Sequence, residues 1–126
     1  MTDRELLNMA KLAGQRAYAP YSRFKVGAAI ETESGKVFTG CNIENAALGC
    51  TICAERVAVG KAVSEGERSF KRIAIYGEGT DYCFPCGSCR QVLAEFSPDI
   101  EVLCTRDTGG YVSYKLNDLL PHSFKL

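Results

Sequence analysis

Apolar side chains recur along the chain with two different periods, and the change of period predicts the order of the elements. Over residues 3–18 their spacing is close to the 3.6 residues of a helical turn, whereas over 24–33 apolar and polar residues alternate as in a strand. Over the whole chain these patterns predict helices at 3–18, 50–63, 86–96 and 117–120, and strands at 24–33, 36–42, 72–76, 100–105 and 110–116.

This order of elements predicts an α/β fold, a mixed sheet of about five strands with flanking helices. A turn at Ser34-Gly35 makes the first two strands an antiparallel hairpin, and the helices between later strands require crossover connections, which give parallel neighbours. The chain has 126 residues and contains no repeat, linker or low-complexity segment. We therefore expect residues 1–126 to form a single domain.

Charge and hydropathy exclude several classes of partner. Fifteen basic residues balance fifteen acidic ones, and no cluster of Lys or Arg stands out. A phosphate backbone needs a basic surface, so a long nucleic acid is a poor candidate and a small neutral substrate is a better one. No apolar run approaches the roughly 20 residues that span a bilayer, and the N-terminus lacks the pattern of a signal peptide. We therefore expect a cytoplasmic protein with no membrane partner.

The cysteines are the strongest indication of chemistry. An odd number of them in a reducing compartment argues against a disulfide framework and favours metal binding. Because His122 is the only histidine, a site for a soft metal ion has to be rich in thiolates. The seven cysteines are Cys41, Cys50, Cys53, Cys83, Cys86, Cys89 and Cys104.

Three of these cysteines have the spacing of a catalytic zinc site. Cys86 and Cys89 form a C-x-x-C pair at the start of a predicted helix, where free N–H groups and the helix dipole favour thiolates, and Cys53 lies near the start of another helix. Three protein ligands leave zinc one open position for water, as in catalytic sites. Glu55 follows closely enough to take a proton from that water without binding the metal itself. The sequence therefore predicts Glu55 as the catalytic residue.

Arg56 offers a solution to the charge of such a site. Three thiolates around Zn²⁺ leave the site with a net negative charge, which opposes ionisation of the bound water. A guanidinium can withdraw charge from the sulfurs through charge-assisted N–H···S contacts, and Arg56 directly follows Glu55. We therefore predict that Arg56 points at one or more of the zinc sulfurs.

The same cysteines also fit a structural zinc site with four thiolates. Cys50 and Cys53, taken with the C-x-x-C pair, have the spacing of a zinc ribbon, and Cys83 is another possible fourth ligand. Spacing alone fits the closed and the open site equally well. The adjacent Glu55 and Arg56 favour the open, catalytic site because a closed site needs neither. In a third alternative, without zinc, all of the cysteines are small core residues.

At these residues the chain resembles a known family. Cys53-Ala54-Glu55 followed by Pro85-Cys86-x-x-Cys89 is similar to the zinc motif of the nucleoside deaminases, and cysteine in place of histidine resembles the three-cysteine class of small cytidine deaminases. The likeness extends over most of the chain. The further segments that resemble blocks of this family are 18–29, 40–46, 89–91 and 119–124.

The resemblance implies an activity and an assembly. It implies hydrolytic deamination of cytidine and 2′-deoxycytidine to the uridines in pyrimidine salvage, with one Zn²⁺ per subunit, in a homotetramer with shared active sites. The contacts that it implies are Cys53, Cys86 and Cys89 on zinc, the Phe24 ring on the nucleoside, Asn42 and Glu44 on the ribose 3′-hydroxyl, the Ala54 carbonyl on the amino group, Glu55 on ring N3, and Phe124 from a neighbouring subunit.

Two positions depart from the family's pattern, and two other functions remain possible. Leu48 stands where many relatives have an aromatic residue, and Phe84 precedes Pro85 where a small polar residue is common. The first alternative is a blasticidin-type deaminase with the same zinc core, against which the expected ribose contacts of Asn42 and Glu44 argue. The second is a non-enzymatic module with structural zinc.

Overall fold

The structure is a computed structural model that describes residues 1–126, and its five strands form one mixed sheet. The strands are β1 (Val26–Thr32), β2 (Val37–Cys41), β3 (Phe70–Gly77), β4 (Glu101–Thr105) and β5 (Tyr111–Lys115). The helices are α1 (Asp3–Gly14), α2 (Ala54–Ser64), α3 (Gly87–Phe96) and α4 (Leu116–Leu119). The strand order is β2-β1-β3-β4-β5, with β3 and β4 parallel and the other pairs antiparallel. The predicted fold class is therefore confirmed.

Helices cover both faces of the sheet. On one face α2 and α3 contribute residues such as Ala58 and Leu93 to the apolar core that also contains Ile30 of β1. On the other face α1 packs through Leu6 onto Ala74 of β3. Strand β1 is consequently buried from its second residue onward, polar residues included. The alternation in its sequence gives no solvent-facing side, because β1 lies inside the sheet and between two layers of helices.

Helix α1 is fixed at both ends by local chemistry. At its start Thr2 and Glu5 form a capping box, in which each side chain accepts a hydrogen bond from the other residue's N–H. At its end the helix touches β1 so closely that a Cβ on Gly27 would come 2.5 Å from the nitrogen of Gly14. The helix ends at Gly14 rather than at the predicted Tyr18, because the Tyr18 main chain pairs with the loop after β2. None of the helices has the length and apolar surface that a membrane span requires.

Helix α2 begins later than predicted. Residues 48–50 form a short 3₁₀ turn instead of the first turn of the helix. Ile52 then exchanges two main-chain hydrogen bonds with Ile43, which keeps the chain extended up to Cys53. The helix therefore starts at Ala54, and the zinc-ligand candidate stands at its N-cap.

Two strands also differ from their predicted bounds. Strand β1 starts at Val26 because the carbonyl of Phe24 accepts a hydrogen bond from the Asn42 side chain rather than from a neighbouring strand. Strand β3 runs over Phe70–Gly77 and is longer at both ends than the predicted 72–76, since it pairs with β1 along its whole length. Phe24 thus lies in a loop next to the sheet, and Gly77 closes the strand beside it.

Candidate zinc centre

Two helix N-termini bring the three predicted zinc ligands together. Cys53 is the N-cap of α2 and Cys86 is the N-cap of α3, both with extended backbone, while Cys89 lies in the first turn of α3 and is fully buried. The Sγ atom of Cys86 is 3.9 Å from that of Cys53 and 3.5 Å from that of Cys89. All three sulfurs lie within 4.8 Å of one another.

The arrangement of these sulfurs fits a tetrahedral zinc ion. Zn–S bonds of about 2.3 Å at tetrahedral angles place two ligand sulfurs about 3.8 Å apart, close to the observed spacing. No other cysteine, histidine or carboxylate places a ligand atom in this group, so neither Cys50 nor Cys83 completes it. The closed site of four thiolates is therefore excluded within this chain, and one coordination position is left open to water or substrate.

The thiols of the cluster and one guanidinium polarise each other. A hydrogen bond from the Cys89 thiol, together with the guanidinium of Arg56, lowers the pKa of Cys53 to about 5. The same hydrogen bond raises the pKa of Cys89. The Nη2 atom of Arg56 lies 3.4 Å from Cys53 Sγ, and its Nε atom is buried without an acceptor. A cation therefore supports a thiolate at the edge of the cluster, which is the form of cysteine that binds zinc.

Glu55 is the buried acid of the site. It lies in the first turn of α2, directly after the helix-capping ligand, and only 5% of it is exposed. Burial raises the pKa of Glu55 to about 7, and the nearby Cys53 thiolate adds to the shift. The adjacent guanidinium is directed at the Cys53 sulfur and forms no salt bridge with this carboxyl group. A carboxyl group that is half-ionised near neutral pH is suited to general acid–base catalysis.

The Asn42 side chain fixes the backbone on one side of Phe24. Its Oδ1 atom accepts a hydrogen bond from the Val26 N–H at 2.9 Å, and its Nδ2 atom donates to the Phe24 carbonyl at 2.9 Å. The amide therefore bridges the two ends of the turn into β1. Asn42 lies beside Phe24, as the two expected substrate contacts require, and it also has a structural task.

The Glu44 carboxylate fixes the other side of the same turn. It accepts hydrogen bonds from the N–H groups of Tyr21 and Ser22 and from the Ser22 hydroxyl. The Ser22 hydroxyl has the largest effect in holding the pKa of Glu44 below its usual range. In turn, the Ser22 hydroxyl oxygen accepts a hydrogen bond from the Phe24 N–H at 3.0 Å. Asn42 and Glu44 thus hold the Phe24 backbone from both sides.

Two predicted substrate contacts stand apart from this arrangement. Ala54 is fully buried, and a Cβ on Gly40 of β2 would come 2.4 Å from the Ala54 carbonyl oxygen. An approach of the substrate amino group to this carbonyl is therefore not open in the single chain, and that contact stays a prediction without support from the geometry. Phe124 lies beyond α4 and is 70% exposed, so its ring is not buried within its own subunit.

Three residues without a predicted role support the predicted ones. The Ser22 hydroxyl links the Glu44 carboxylate to Phe24. Gln91 of α3 donates from Nε2 to the Phe124 carbonyl at 3.0 Å, which ties the C-terminal tail to the helix of two zinc-ligand candidates. Glu78 pairs with the main chain next to Phe24. Ser22 and Gln91 belong to the segments that resemble the family, whereas no pattern in the sequence indicates Glu78.

A cavity of about 460 Å³ lies between α1, β2 and α2, but it is not the site described above. None of the residues expected to contact zinc or substrate lines it. By contrast, four large apolar residues that the sequence places in or beside the segments of the expected site are exposed in the single chain. They are Phe24, Leu48, Phe84 and Phe124.

Comparison with known proteins shows the family. A model of the cytidine and deoxycytidylate deaminase zinc-binding region matches residues 1–105. A cytidine deaminase of Sporosarcina psychrophila is 45% identical over 125 residues, which cover 98% of this chain and 92% of that protein. A blasticidin-S deaminase of Bacillus cereus is 31% identical over 125 residues, with 91% and 89% covered.

A solved structure agrees over the whole fold. The crystal structure of cytidine deaminase from Burkholderia pseudomallei matches with a TM-score of 0.95 and 48% sequence identity, and the match covers 98% of this chain and 100% of that one. The mixed sheet and the three-thiolate cluster are those of a zinc-binding deaminase. The chain belongs to the cytidine and deoxycytidylate deaminase family.

Proposed function

We propose that this chain catalyses the hydrolytic deamination of cytidine and 2′-deoxycytidine to uridine and 2′-deoxyuridine, with release of ammonia, in pyrimidine salvage. The observation that supports this most is the open cluster of three thiolates followed by the buried carboxyl group of Glu55. Identities of 45% and 48% with cytidine deaminases, against 31% with a blasticidin-S deaminase, favour a cytosine nucleoside over blasticidin S.

The proposed mechanism assigns the proton transfers to Glu55. Zinc held by Cys53, Cys86 and Cys89 supplies, when bound, a water molecule that is acidic enough to react near neutral pH. Glu55 takes a proton from water and delivers it to ring N3, while the remaining hydroxide adds to C4. A second proton then passes from the C4 hydroxyl group through Glu55 to the amino nitrogen, which leaves as ammonia. A pKa of about 7 allows Glu55 to act in both directions.

Arg56 supports the same chemistry from the side of the sulfurs. Its Nη2 atom donates to Cys53 Sγ, which reduces the negative charge that three thiolates place on the metal site. A less negative site keeps the water acidic. Arg56 is therefore a positioning residue in this proposal, because it acts through Cys53 and not on the substrate.

The nucleoside contacts come from the loop before β1 and the loop after β2. In the proposal the Phe24 ring packs against the nucleoside, and Asn42 and Glu44 bind the ribose 3′-hydroxyl. Both polar side chains already bond to the protein backbone. Each still has capacity for a ligand, since the Asn42 amide has a second N–H and the Glu44 carboxylate has further lone pairs.

We further propose that the chain assembles as a homotetramer in which Phe124 enters a neighbour's site. The exposure of Phe124 and Leu48 supports this, because large exposed apolar side chains mark interaction surfaces. Light scattering coupled to gel filtration tests the assembly. A monomer of full activity would refute the shared site.

Two smaller proposals concern the chain as a whole. Residues 1–126 act as one catalytic domain, supported by the single sheet to which all five strands belong. The protein works in the cytoplasm, supported by its seven free thiols, because a reducing compartment keeps such thiols available to zinc.

A direct assay tests the main proposal against its two alternatives. Purified protein is analysed for zinc and mixed with cytidine, 2′-deoxycytidine or blasticidin S, and the loss of the substrate's ultraviolet absorbance is followed. We expect one zinc per chain and turnover of both nucleosides. Turnover of blasticidin S alone would favour the first alternative, and bound zinc without any turnover would favour a structural site.

A further inference from the structure

The ring of Phe24 rests on two glycines at the end of β3, Gly77 and Gly79, which we name the glycine shelf. A Cβ on Gly77 would come 3.0 Å from the ring atom Cζ of Phe24, and a Cβ on Gly79 would come 3.2 Å from the ring atom Cε1. Carbon atoms in favourable contact are about 3.5–4.0 Å apart. Any side chain on the shelf would therefore push the ring away from its present place.

The shelf needs glycine for space and not for backbone conformation. Neither Gly77 nor Gly79 has a positive φ, unlike four other glycines of the chain. An L-amino acid could adopt either backbone without strain, so the hydrogen side chain matters here only because Phe24 occupies the volume above it. The two glycines are thus matched to one aromatic ring.

The Phe24 backbone cannot move to relieve such a contact, because the segment that follows Phe24 is hydrogen-bonded to the segment that carries the two glycines. The N–H of Lys25 donates to the Glu78 carboxylate at 3.0 Å, and the N–H of Glu78 donates to the Lys25 carbonyl at 3.2 Å. Val26 stands opposite Gly77 in the β1–β3 register. The Phe24 backbone is held in addition by the side chains of Asn42 and Ser22. A substitution on the shelf therefore has to displace the ring itself.

Cys83 closes the space beside the ring. Its Cβ and Sγ atoms would lie 2.8 Å and 2.9 Å from a Cβ on Gly77. Burial raises the pKa of the Cys83 thiol to about 12, so it stays neutral and serves as an apolar neighbour. This gives a role to a cysteine outside the metal cluster. It also means that a Cβ on Gly77 would clash with two side chains, whereas the nearest atoms to a Cβ on Gly79 belong to the Phe24 ring.

We propose that Gly77 and Gly79 are positioning residues that set the height of the Phe24 ring above the sheet, and through it the depth at which the cytosine nucleoside binds. The inference rests on the proposed function, in which this ring packs against the nucleoside. It goes further in assigning the substrate's depth to the absence of two side chains. A methyl group on the shelf raises the ring and narrows the site.

The series Gly79→Ala and Gly79→Val tests the shelf, because a Cβ on this glycine would meet the Phe24 ring first, at 3.2 Å, and the Asp81 nitrogen only at 3.9 Å. We expect KM for cytidine to rise roughly three- to tenfold with Ala and further with Val, with kcat and zinc content close to wild type. Gly60→Ala is the matched control, since a Cβ there meets nothing within 4 Å. Its KM should equal that of the wild type.

A double-mutant cycle with Phe24→Ala separates positioning from a general loss of stability. With the ring removed, Gly79→Ala should have no further effect on KM, whereas a structural defect would persist in both backgrounds. Additive effects in the cycle, or an unchanged KM across the Gly79 series, would refute the proposal that the shelf positions the Phe24 ring. A crystal structure of the Gly79→Ala variant measures the displacement of the ring directly, and an unmoved ring would overturn it as well.

The outcomes for the shelf and for the proposed function can be told apart. An unchanged KM in Phe24→Ala refutes the contact between the ring and the nucleoside, and with it the link from the shelf to substrate depth. An increased KM in Phe24→Ala beside a neutral Gly79 series refutes the shelf alone. Cytidine turnover by the wild type is decided independently of both.

Discussion

Two arginines of this fold, the buried Arg72 and the half-buried Arg56, have opposite surroundings. Next to α1, Arg72 donates from Nε to Glu31 at 2.5 Å and from Nη1 to Asp3 at 2.5 Å, and its remaining nitrogen donates to the carbonyl of Met1. The Tyr111 hydroxyl donates to the other oxygen of Asp3. In this network every charged group has a partner of opposite charge or a hydrogen bond.

At the zinc centre the guanidinium and the carboxyl group do not form an ion pair with each other. Arg56 and Glu55 are adjacent in sequence, yet the guanidinium is directed at Cys53 and the buried carboxyl group forms no salt bridge. The pKa of Glu55 rises to about 7 as a result, chiefly through burial. Pairing gives a group one stable charge state, whereas burial without a partner leaves it ready to change its charge. The comparison separates a charge cluster that stabilises the fold from one that serves chemistry.

The largest effect is expected from Glu55→Gln. The substitution keeps the size of the side chain but removes proton transfer, so we expect kcat to fall by about 10²–10⁴-fold or more. Zinc content and thermal stability should be kept or slightly raised, because a poorly solvated acid is replaced by a neutral amide. Steady-state kinetics with zinc analysis checks this. Substantial remaining turnover at full zinc loading would contradict the mechanism.

The ion-pair network of Arg72 should show the opposite response, in which stability is lost and activity is kept. Arg72→Met leaves Glu31 buried without its cation, and we expect a loss of about 3 kcal/mol in the free energy of unfolding, measured by urea denaturation. The kcat of the folded variant should be that of the wild type. Lys36→Met is the control, since Lys36 is exposed and its ion pair with Glu67 at 3.7 Å should contribute little to stability. Equal losses in both variants would remove the distinction between the two clusters.

A smaller effect is expected from Arg56→Gln. Loss of the guanidinium from Cys53 Sγ should weaken zinc binding about 10- to 100-fold, as for other groups that support metal ligands. Competition with a chromophoric chelator measures the affinity, and Arg68→Gln on the exposed surface provides the control. Unaltered zinc affinity with reduced kcat would place Arg56 on the substrate instead of the sulfurs.

The smallest expected effect concerns the Glu44 carboxylate and pH. Hydrogen bonds from Ser22 and Tyr21 lower the pKa of Glu44 in the folded chain, so its contribution to stability is present above the pKa of the unfolded chain. It is lost as the pH falls through the lowered folded value. The melting temperatures of wild type and Glu44→Gln should therefore differ at neutral pH and converge in acid. A difference that grows on acidification would have the wrong sign.

Spacing along the chain, together with the adjacent Glu55 and Arg56, was enough to predict the open cluster of three thiolates. A C-x-x-C pair at one helix start and a third cysteine at another can meet once the helices pack on one face, and the structure brings the three sulfurs together. The direction of Arg56 followed from the charge of three thiolates, which is a local argument. The mixed character of the sheet also followed from local patterns, since a tight turn gives antiparallel neighbours and a crossover gives parallel ones. The order of the strands was not predicted and comes from the structure.

What the sequence did not indicate depends on contacts between distant segments. Arg72 meets Asp3 across 69 positions of sequence, and the ring of Phe24 meets Gly77 and Gly79 from another strand. Helix and strand starts near the site were also missed. Main-chain pairing between Ile43 and Ile52 decided where α2 begins, and no periodicity records such a pair.

The position of the ligand cysteines at the helix starts affects how firmly the first turns of α2 and α3 are held. Thr2 caps α1 with its side chain, but neither Cys53 nor Cys86 makes a side-chain cap bond to its own helix. The first turns of α2 and α3 thus lack a side-chain cap, and their stability depends on the group that binds the sulfurs. Withdrawal of the metal should make these two turns fray first, with faster amide hydrogen exchange and easier proteolysis there. The rate at which the protein is degraded would then rise when zinc is scarce.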